Sequence, residues 1–132
     1  MVRGGVFMKM LLDDSKLIYI QIADAILDDI LKGSLKEDEQ VYSTNQFAKL
    51  YGINPATAAK GINLLVEEGI LYKKRGIGMF VAAGAKSMII NKRRKQFVEE
   101  YIFKLMNEAK KLNITKEELI NLINKYERGE KR

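Results

Sequence analysis

The chemically most useful side chains of the sequence form a basic cluster beside two glycines. Lys73, Lys74 and Arg75 stand together, and Gly76-Ile77-Gly78 follows them directly. Lysine and arginine bind phosphate groups, arginine through its planar fork and lysine as a point charge. A nucleotide-binding loop would need a helix directly after the glycines, whereas Met79-Phe80-Val81 has the character of a strand. The pattern therefore indicates electrostatic binding of a polyanion.

Covalent and metal chemistry find little support in the composition. The sequence contains no cysteine and no histidine, which excludes disulfides, thiol nucleophiles, histidine bases and the usual zinc ligands. The acidic pairs Asp13-Asp14 and Asp28-Asp29 consist of neighbours that point to different sides of a helix or strand, so we interpret them as solvated charge. We expect neither an enzyme nor a cofactor.

Positive charge is concentrated in the second half of the chain. Residues 1–70 carry seven Lys and Arg against ten Asp and Glu, a net charge of −3, whereas residues 71–132 carry sixteen against seven, a net charge of +9. This asymmetry, with a pI of about 9.4, favours a nucleic-acid partner, although solvated basic helices give similar counts. No apolar run is long enough to span a membrane, so we expect a cytoplasmic protein with no membrane partner.

Helical periodicity and capping signals predict the elements that position these side chains. Residues 1–14 are expected to form a flexible leader. A first helix is expected between Ser15, its N-cap, and Gly33, with apolar residues at three- and four-residue intervals. A capping box at Ser43–Gln46 predicts a second, short helix over residues 44–51.

A glycine turn joins the second helix to a third. Gly52 allows a left-handed backbone, and Asn54 with Pro55 begins the third helix. Helix, short turn and helix form the helix-turn-helix arrangement, although a helical hairpin inside a core has the same signals.

One face of the third helix is expected to be available to a partner. The helix would bury Ala58, Ile62, Leu65 and Val66 and expose Ala56, Thr57, Ala59, Lys60 and Asn63. The small residues Ala56, Ala59 and Gly61 would allow close approach to a surface. Thr57, Lys60 and Asn63 can hydrogen-bond phosphates or base edges in a major groove. An ordinary exposed face is the alternative, since no arginine is present there.

A β-hairpin follows the third helix. Gly69 ends the helix, Ile70–Lys74 is rich in β-favouring residues, Arg75–Gly78 is a turn and Met79–Val81 returns as a second strand. The chain is therefore expected to be mostly α with one small hairpin, and residues 15–82 to form a winged helix-turn-helix domain. The cations of the wing would contact the backbone or a minor groove while the third helix reads the adjacent major groove.

A short linker over residues 83–86 precedes a helical tail over 87–132. Apolar residues predict a long helix from Ser87 to about Leu112, and a capping box at Thr115–Glu118 begins a last helix. Two helices cannot bury two apolar faces alone, so we expect a symmetric dimer; packing onto the chain's own first domain is the alternative. The residues expected at the dimer interface are Phe97, Tyr101, Leu105, Leu119 and Ile123.

Five short motifs occur in a specific order along residues 17–82. They are Tyr19-x-Gln21-Ile22, Phe47-Ala48, Gly52-Ile53-Asn54-Pro55-Ala56-Thr57, Leu64-x-x-Glu67-x-Gly69 and Arg75-Gly76-x-Gly78-x-Phe80-Val81. In order and spacing they resemble the GntR family of bacterial transcription regulators, and the two-helix tail resembles the short-tailed YtrA-type branch. The resemblance implies a homodimer that binds double-stranded DNA at a roughly palindromic operator and represses transcription.

The resemblance also implies which residues face DNA. With the wing lysines included, these are Ser43, Asn45, Asn54, Thr57, Lys60, Lys73, Lys74, Arg75 and Gly76. The sequence departs from the family pattern where Val41-Tyr42-Ser43 replaces Leu-Pro-Ser and where Asn45 replaces a DNA-contacting arginine. Arginines that are common in the family's recognition helix, which corresponds to the third helix here, are also absent. The family's base contacts therefore do not carry over residue by residue.

Two further matters stay open in the sequence. The missing arginines favour, as an alternative, an adaptor protein that retains the winged helix without specific DNA reading. A small-molecule effector would have to bind at the dimer interface or between the tail and the winged domain, because two helices leave little room for an enclosed pocket. The sequence identifies neither the effector nor the operator.

Overall fold

Six helices and one β-hairpin make up the part of the chain that the computed structural model describes, residues 17–129; the predicted leader and the predicted cap Ser15 lie outside these residues. The elements are α1 (Ile18–Lys32), α2 (Thr44–Tyr51), α3 (Pro55–Glu67), β1 (Leu71–Lys74), β2 (Gly78–Val81), α4 (Ala85–Phe97), a π-helical turn (Val98–Ile102), α5 (Phe103–Lys111) and α6 (Lys116–Glu127). The expected fold class is confirmed. The chain divides into two compact units, the first ending at Asn91 and the second beginning at Lys92.

The core of the first unit lies where its three helices meet the hairpin. α3 packs against α1, α2 and β1. The largest side chains that are almost fully buried are Ile22, Ile26, Leu35, Val41, Phe47, Ile62, Leu65, Leu71 and Val81. Burial of an aliphatic or aromatic side chain of this size contributes about 1.5–3 kcal/mol. The core therefore fixes α3 on a rigid base and leaves its opposite edge in solvent.

The caps of the helix-turn-helix form as predicted. The Ser43 hydroxyl accepts a hydrogen bond from the backbone N–H of Gln46 at 3.1 Å, and the Gln46 side chain accepts one from the Ser43 N–H at 2.8 Å. Gly52 ends α2 with a φ of 63°, a conformation that glycine adopts without strain. Asn54 caps α3 through a side-chain hydrogen bond of 2.7 Å. At α1 the N-cap position is Leu17, which makes no side-chain capping bond.

Gly61 lies where α3 crosses α1. It is buried, and a Cβ atom at this position would come within 2.6 Å of the Tyr19 carbonyl oxygen and 3.2 Å of the Ile22 side chain. The prediction that Gly61 helps an outside surface approach α3 is therefore wrong, because the surface that approaches it is α1. Of the predicted buried stripe on α3, Val66 is only half-buried.

The two strands of the wing pair antiparallel, with Leu71 opposite Val81 and Lys74 opposite Gly78. A backbone hydrogen bond of 2.9 Å from Ile77 to Lys74 closes the turn. Gly78, predicted as the last residue of the turn, is already the first residue of β2. The basic tip is therefore one residue shorter than expected.

The polar segment between α1 and α2 pairs with β2. The N–H groups of Asp38 and Val41 donate to β2 carbonyls at 2.8 and 3.0 Å, and the carbonyl of Glu39 accepts from a β2 N–H at 3.0 Å. We call residues 36–41 the brace segment. It supplies β2 with hydrogen-bond partners on the edge that β1 leaves open.

The tail differs from the prediction at its start. α4 begins at Ala85, so the second half of the predicted linker over 83–86 is helical. Ala85 and Ile89 are buried in the core of the first unit, and residues four apart lie on one helix face, so this burial explains the early start. The predicted helix over 87–112 is interrupted by the π-helical turn, whereas the capping box that begins α6 is confirmed.

Candidate nucleic-acid interface

The predicted DNA-facing residues fall into three places within the first unit. Ser43 and Asn45 are exposed at the start of α2, and Asn54 and Lys60 are exposed on α3, where Thr57 is half-buried. The remaining residues, Lys73, Lys74, Arg75 and Gly76, are exposed at the end of the wing. All of them belong to elements whose opposite faces contribute to one core.

An open groove of about 510 Å³ lies between the start of α1 and the start of α3. The residues that line it are Leu17, Ile18, Tyr19, Ala56, Thr57 and Lys60. The Lys60 ammonium nitrogen is 4.2 Å from the centre of the Tyr19 ring, which is within the range of a cation–π interaction. The lysine of α3 is therefore held beside α1, and Tyr19, named in the sequence only as part of a family motif, contributes to the site.

Two predicted DNA contacts also serve as helix caps. The Ser43 oxygen and the Asn54 side-chain oxygen each accept a backbone hydrogen bond at the start of a helix. A hydroxyl keeps its own hydrogen and an asparagine amide keeps two N–H donors. Both side chains can therefore cap their helices and donate a hydrogen bond to a phosphate oxygen.

The wing presents its cations in different ways. Side chains alternate between the two faces of a strand, so Lys73 and Lys74 point to opposite faces. The Lys74 ammonium lies 4.3 Å from the centre of the Phe80 ring, and the Tyr72 and Phe80 rings stack with their centres 5.8 Å apart. Lys74 is therefore ordered on an aromatic face, whereas Arg75 stands at the turn.

The brace segment holds the turn of the wing in place. Gln40 donates a side-chain hydrogen bond to the Ile77 carbonyl at 2.9 Å. A Cβ atom at residue 78 would come within 2.5 Å of the Gln40 amide nitrogen, and Gly78 has a φ of 146°. The φ value favours glycine at this position, and a Cβ atom there would displace the Gln40 side chain from its present position. The sequence contains no periodic signal that could have predicted the role of Gln40.

Two carboxylates of the brace segment bind the base of the wing. The Tyr72 hydroxyl donates to Asp38 at 2.7 Å, and the backbone N–H of Gly84 donates to Glu37 at 2.9 Å. The hydrogen bond to Asp38 raises the pKa of Tyr72 above its ordinary value of 10.0. The acidic run of the brace segment is thus part of the support for the wing.

The prediction that Asp28 and Asp29 are both solvated is wrong for Asp29. Asp28 is exposed, but Asp29 is only 5% exposed. Burial raises the pKa of Asp29 from 3.8 to about 6, although nearby Lys32 acts in the opposite direction. Burial also raises the pKa of Tyr51 to about 12, with smaller contributions from Tyr42 and Asp29. These groups lie in the support of the site, between α1 and the helix-turn-helix.

Within residues 17–129, no group of three or more acidic side chains is arranged to hold a metal ion. None of the helices described there is both long enough and apolar enough to cross a membrane.

The second unit carries an apolar surface that includes most of the predicted dimer contacts. Phe97, Tyr101, Leu105 and Ile123 are exposed. Leu119, the fifth residue predicted at the dimer interface, is buried, so its side chain is covered within the chain itself. Further exposed apolar side chains of this unit are Val98, Ile102, Phe103, Met106, Leu112, Ile120, Leu122 and Tyr126.

A recognition helix beside a braced, basic wing defines a winged helix-turn-helix DNA-binding transcription regulator. The model for bacterial regulatory proteins of the gntR family matches residues 18–81. A crystal structure of a transcriptional regulator of the GntR family from Bacteroides thetaiotaomicron is 34% identical with a TM-score of 0.73, and the match covers 84% of this chain and 96% of that one. The chain belongs to the GntR family, whose members are DNA-binding transcription regulators and not enzymes.

Two relatives of similar length come from Bacillus subtilis. The HTH-type transcriptional regulator YhcF is 29% identical over 115 residues, which are 87% of this chain and 93% of YhcF. The transcriptional repressor YtrA is 28% identical over 102 residues, which are 77% of this chain and 78% of YtrA. The expected resemblance to YtrA is therefore confirmed. Other relatives are longer proteins, of which this chain spans 18% to 27%.

Proposed function

We propose that the protein is a homodimeric repressor that acts in the cytoplasm on a roughly palindromic operator. The observation that carries the proposal is the pairing of an exposed edge of α3, with Lys60 and Asn63, and a basic wing end held by the brace segment. The name of YtrA as a repressor supports the direction of regulation.

The division of labour among the contacts follows from their chemistry. Lysine and serine or threonine hydroxyls suit phosphate oxygens, so Lys60, Lys73, Ser43 and Thr57 fix the register on the duplex. Asn45, Asn54 and Asn63 can donate to and accept from base edges. Arg75 and Gly76 at the wing turn fit the narrow minor groove or its rim. Lys74 adds positive charge from its aromatic support.

A second copy of the chain is the proposed cover of the apolar tail. The exposed set includes aromatic side chains, with Tyr101 at 63% and Phe97 at 53% exposure. Soluble monomers rarely expose contiguous apolar surface on this scale, and homo-oligomers most often close as two-fold dimers. Two recognition helices related in this way would meet half-sites about one helical turn apart, which explains the expected palindrome.

Fluorescence anisotropy with DNA tests the proposal. The purified protein would be titrated into the duplex that lies upstream of its own gene and into a scrambled duplex, each at two salt concentrations. We expect at least about a thousandfold discrimination, with affinity that falls as salt rises. Equal and weak binding to both duplexes would contradict specific reading of this region.

An adaptor protein remains the second candidate function. It is favoured by one observation, namely that Asn45 and Ala59 stand on the DNA side of the helix-turn-helix without a cationic group. In vitro selection from a random duplex pool distinguishes the two functions. A recurrent sequence motif after selection supports the regulator, and a pool without enrichment supports the adaptor.

A further inference from the structure

We propose that Tyr19 is a positioning residue for DNA binding: its ring holds the Lys60 ammonium at the groove between α1 and α3, where a backbone phosphate would dock. The inference deepens the proposed function and rests on it. It is carried by the 4.2 Å distance between the Lys60 nitrogen and the centre of the Tyr19 ring.

The lysine that Tyr19 holds is important because α3 has few charges. From Pro55 to Val66 the helix contains one ionisable side chain, Lys60. A lysine side chain has many rotamers and loses most of this freedom when it is fixed against a ligand. A ring that fixes the ammonium before DNA arrives removes part of this entropic loss from the binding step. Tyr19 therefore acts on affinity without itself needing to contact DNA.

The backbone keeps the ring in place. At the residue after Lys60, Gly61 lies so close to α1 that a Cβ atom would be 2.6 Å from the Tyr19 carbonyl oxygen. The main chains of Tyr19 and of α3 thus approach each other closely, so the crossing of the two helices fixes the position of the Tyr19 backbone that carries the ring. This geometry differs from that of an aromatic side chain on a loop, which would order a lysine poorly.

The surroundings of the ammonium fit a phosphate group. The groove is open, and Ala56 and Thr57, one turn before Lys60, are among the residues that line it. Small side chains let a sugar-phosphate backbone come close, and the Thr57 hydroxyl can donate to the same phosphate. The charge that the ring holds is therefore placed beside a second donor.

Binding titrations with four variants test the inference. They are Tyr19→Phe, Tyr19→Leu, Lys60→Met and the double variant Tyr19→Leu/Lys60→Met, measured by fluorescence anisotropy on the duplex upstream of the gene and on the scrambled duplex. We expect Tyr19→Leu to weaken binding by about two- to five-fold for each bound subunit, the range of an exposed cation–π contact. Tyr19→Phe keeps the ring and should bind as the wild type does.

Coupling between the two residues separates positioning from a structural role. In the Lys60→Met background, Tyr19→Leu should cause no further loss of affinity. Leu50→Ala is the control, because Leu50 is exposed on α2 and does not line the groove, and it should leave the affinity for DNA unchanged. Unchanged binding by Tyr19→Leu, or an equal loss in both backgrounds, overturns the inference.

A measurement without DNA distinguishes this inference from the proposed function. In the NMR spectrum of the free protein, the Lys60 methylene protons next to the nitrogen should be shifted upfield by the ring in the wild type and in Tyr19→Phe but not in Tyr19→Leu. Absence of this shift overturns the inference even if DNA binding is strong. If the wild type binds neither duplex, the proposed function fails and the DNA role of Tyr19 fails with it, while the shift still reports the ring contact.

Discussion

Replacement of the buried Asp29 by asparagine should make the protein more stable at neutral pH. Burial holds the pKa of Asp29 at about 6, above its ordinary value of 3.8. Folding therefore favours the protonated carboxyl group, and ionisation of Asp29 lowers the free energy of unfolding. Asparagine has nearly the same shape and carries no charge at any pH, so Asp29→Asn abolishes this loss of stability.

The sign and size of the effect follow from proton linkage. Between pH 3.8 and about pH 6 the folded state binds more protons at Asp29 than the unfolded state does, so the free energy of unfolding falls as the pH rises. A shift of roughly two pKa units, at about 1.36 kcal/mol for each unit, gives a loss of about 3 kcal/mol that is complete above pH 6. Below pH 3.8 the loss is absent.

Urea denaturation across this pH range measures the effect, at one fixed protein concentration. The stability of Asp29→Asn minus that of the wild type should increase by about 2 kcal/mol between pH 4 and pH 7, most of the full effect. The pH dependence is the test, since an amide also changes local hydrogen bonds by a constant amount. Asp28→Asn, at the exposed neighbouring position, should show little of this dependence. A difference for Asp29→Asn that stays flat with pH would refute the reasoning.

Three further perturbations test other parts of the structure. Lys60→Ala should weaken binding to all duplexes and lower the salt slope by about one unit for each subunit; an unchanged slope removes Lys60 from the phosphate contacts. Gly61→Ala should lower the free energy of unfolding by about 1–3 kcal/mol, because its Cβ meets the backbone of α1. Thermal denaturation measures this loss, and Ala59→Gly on the same helix controls for the effect of helix propensity. If the protein is the proposed dimer, Tyr101→Glu should convert it to monomers in light scattering, whereas Lys104→Glu should not. A Tyr101→Glu protein that stays dimeric contradicts the proposed tail interface.

Local signals were sufficient to predict the helix-turn-helix. The capping box at Ser43, the left-handed Gly52 and the Asn54-Pro55 start of α3 each involve residues within a few positions of one another. Such short-range hydrogen bonds are determined by residue type and spacing, so they can be predicted from the sequence. The exposed edge of α3 follows from the same periodicity.

Features that depend on packing between distant segments were not predictable in this way. Gly61 was interpreted as a residue that lets an outside surface approach α3, and only the crossing with α1 shows that the approaching surface is another helix of the chain. Asp29 looked like its exposed neighbour, and Gln40 stood in a segment without periodicity although its partner lies 37 positions away. Ala85 was assigned to a linker because a single alanine does not reveal that it packs into a core. In each case the deciding contact is made with residues far along the chain.

The hydrogen bond between Gln40 and the wing has a consequence for redesign. Because this hydrogen bond holds the turn, Arg75 and Gly76 can be replaced as a pair, provided that Gln40 and Gly78 are kept. An exchange of these two residues with those of a related regulator should transplant a contact preference only if Gln40 and Gly78 are kept together. A chimera that receives the hairpin without the brace segment would have the intended turn residues, but its turn would lack the hydrogen bond that fixes its conformation.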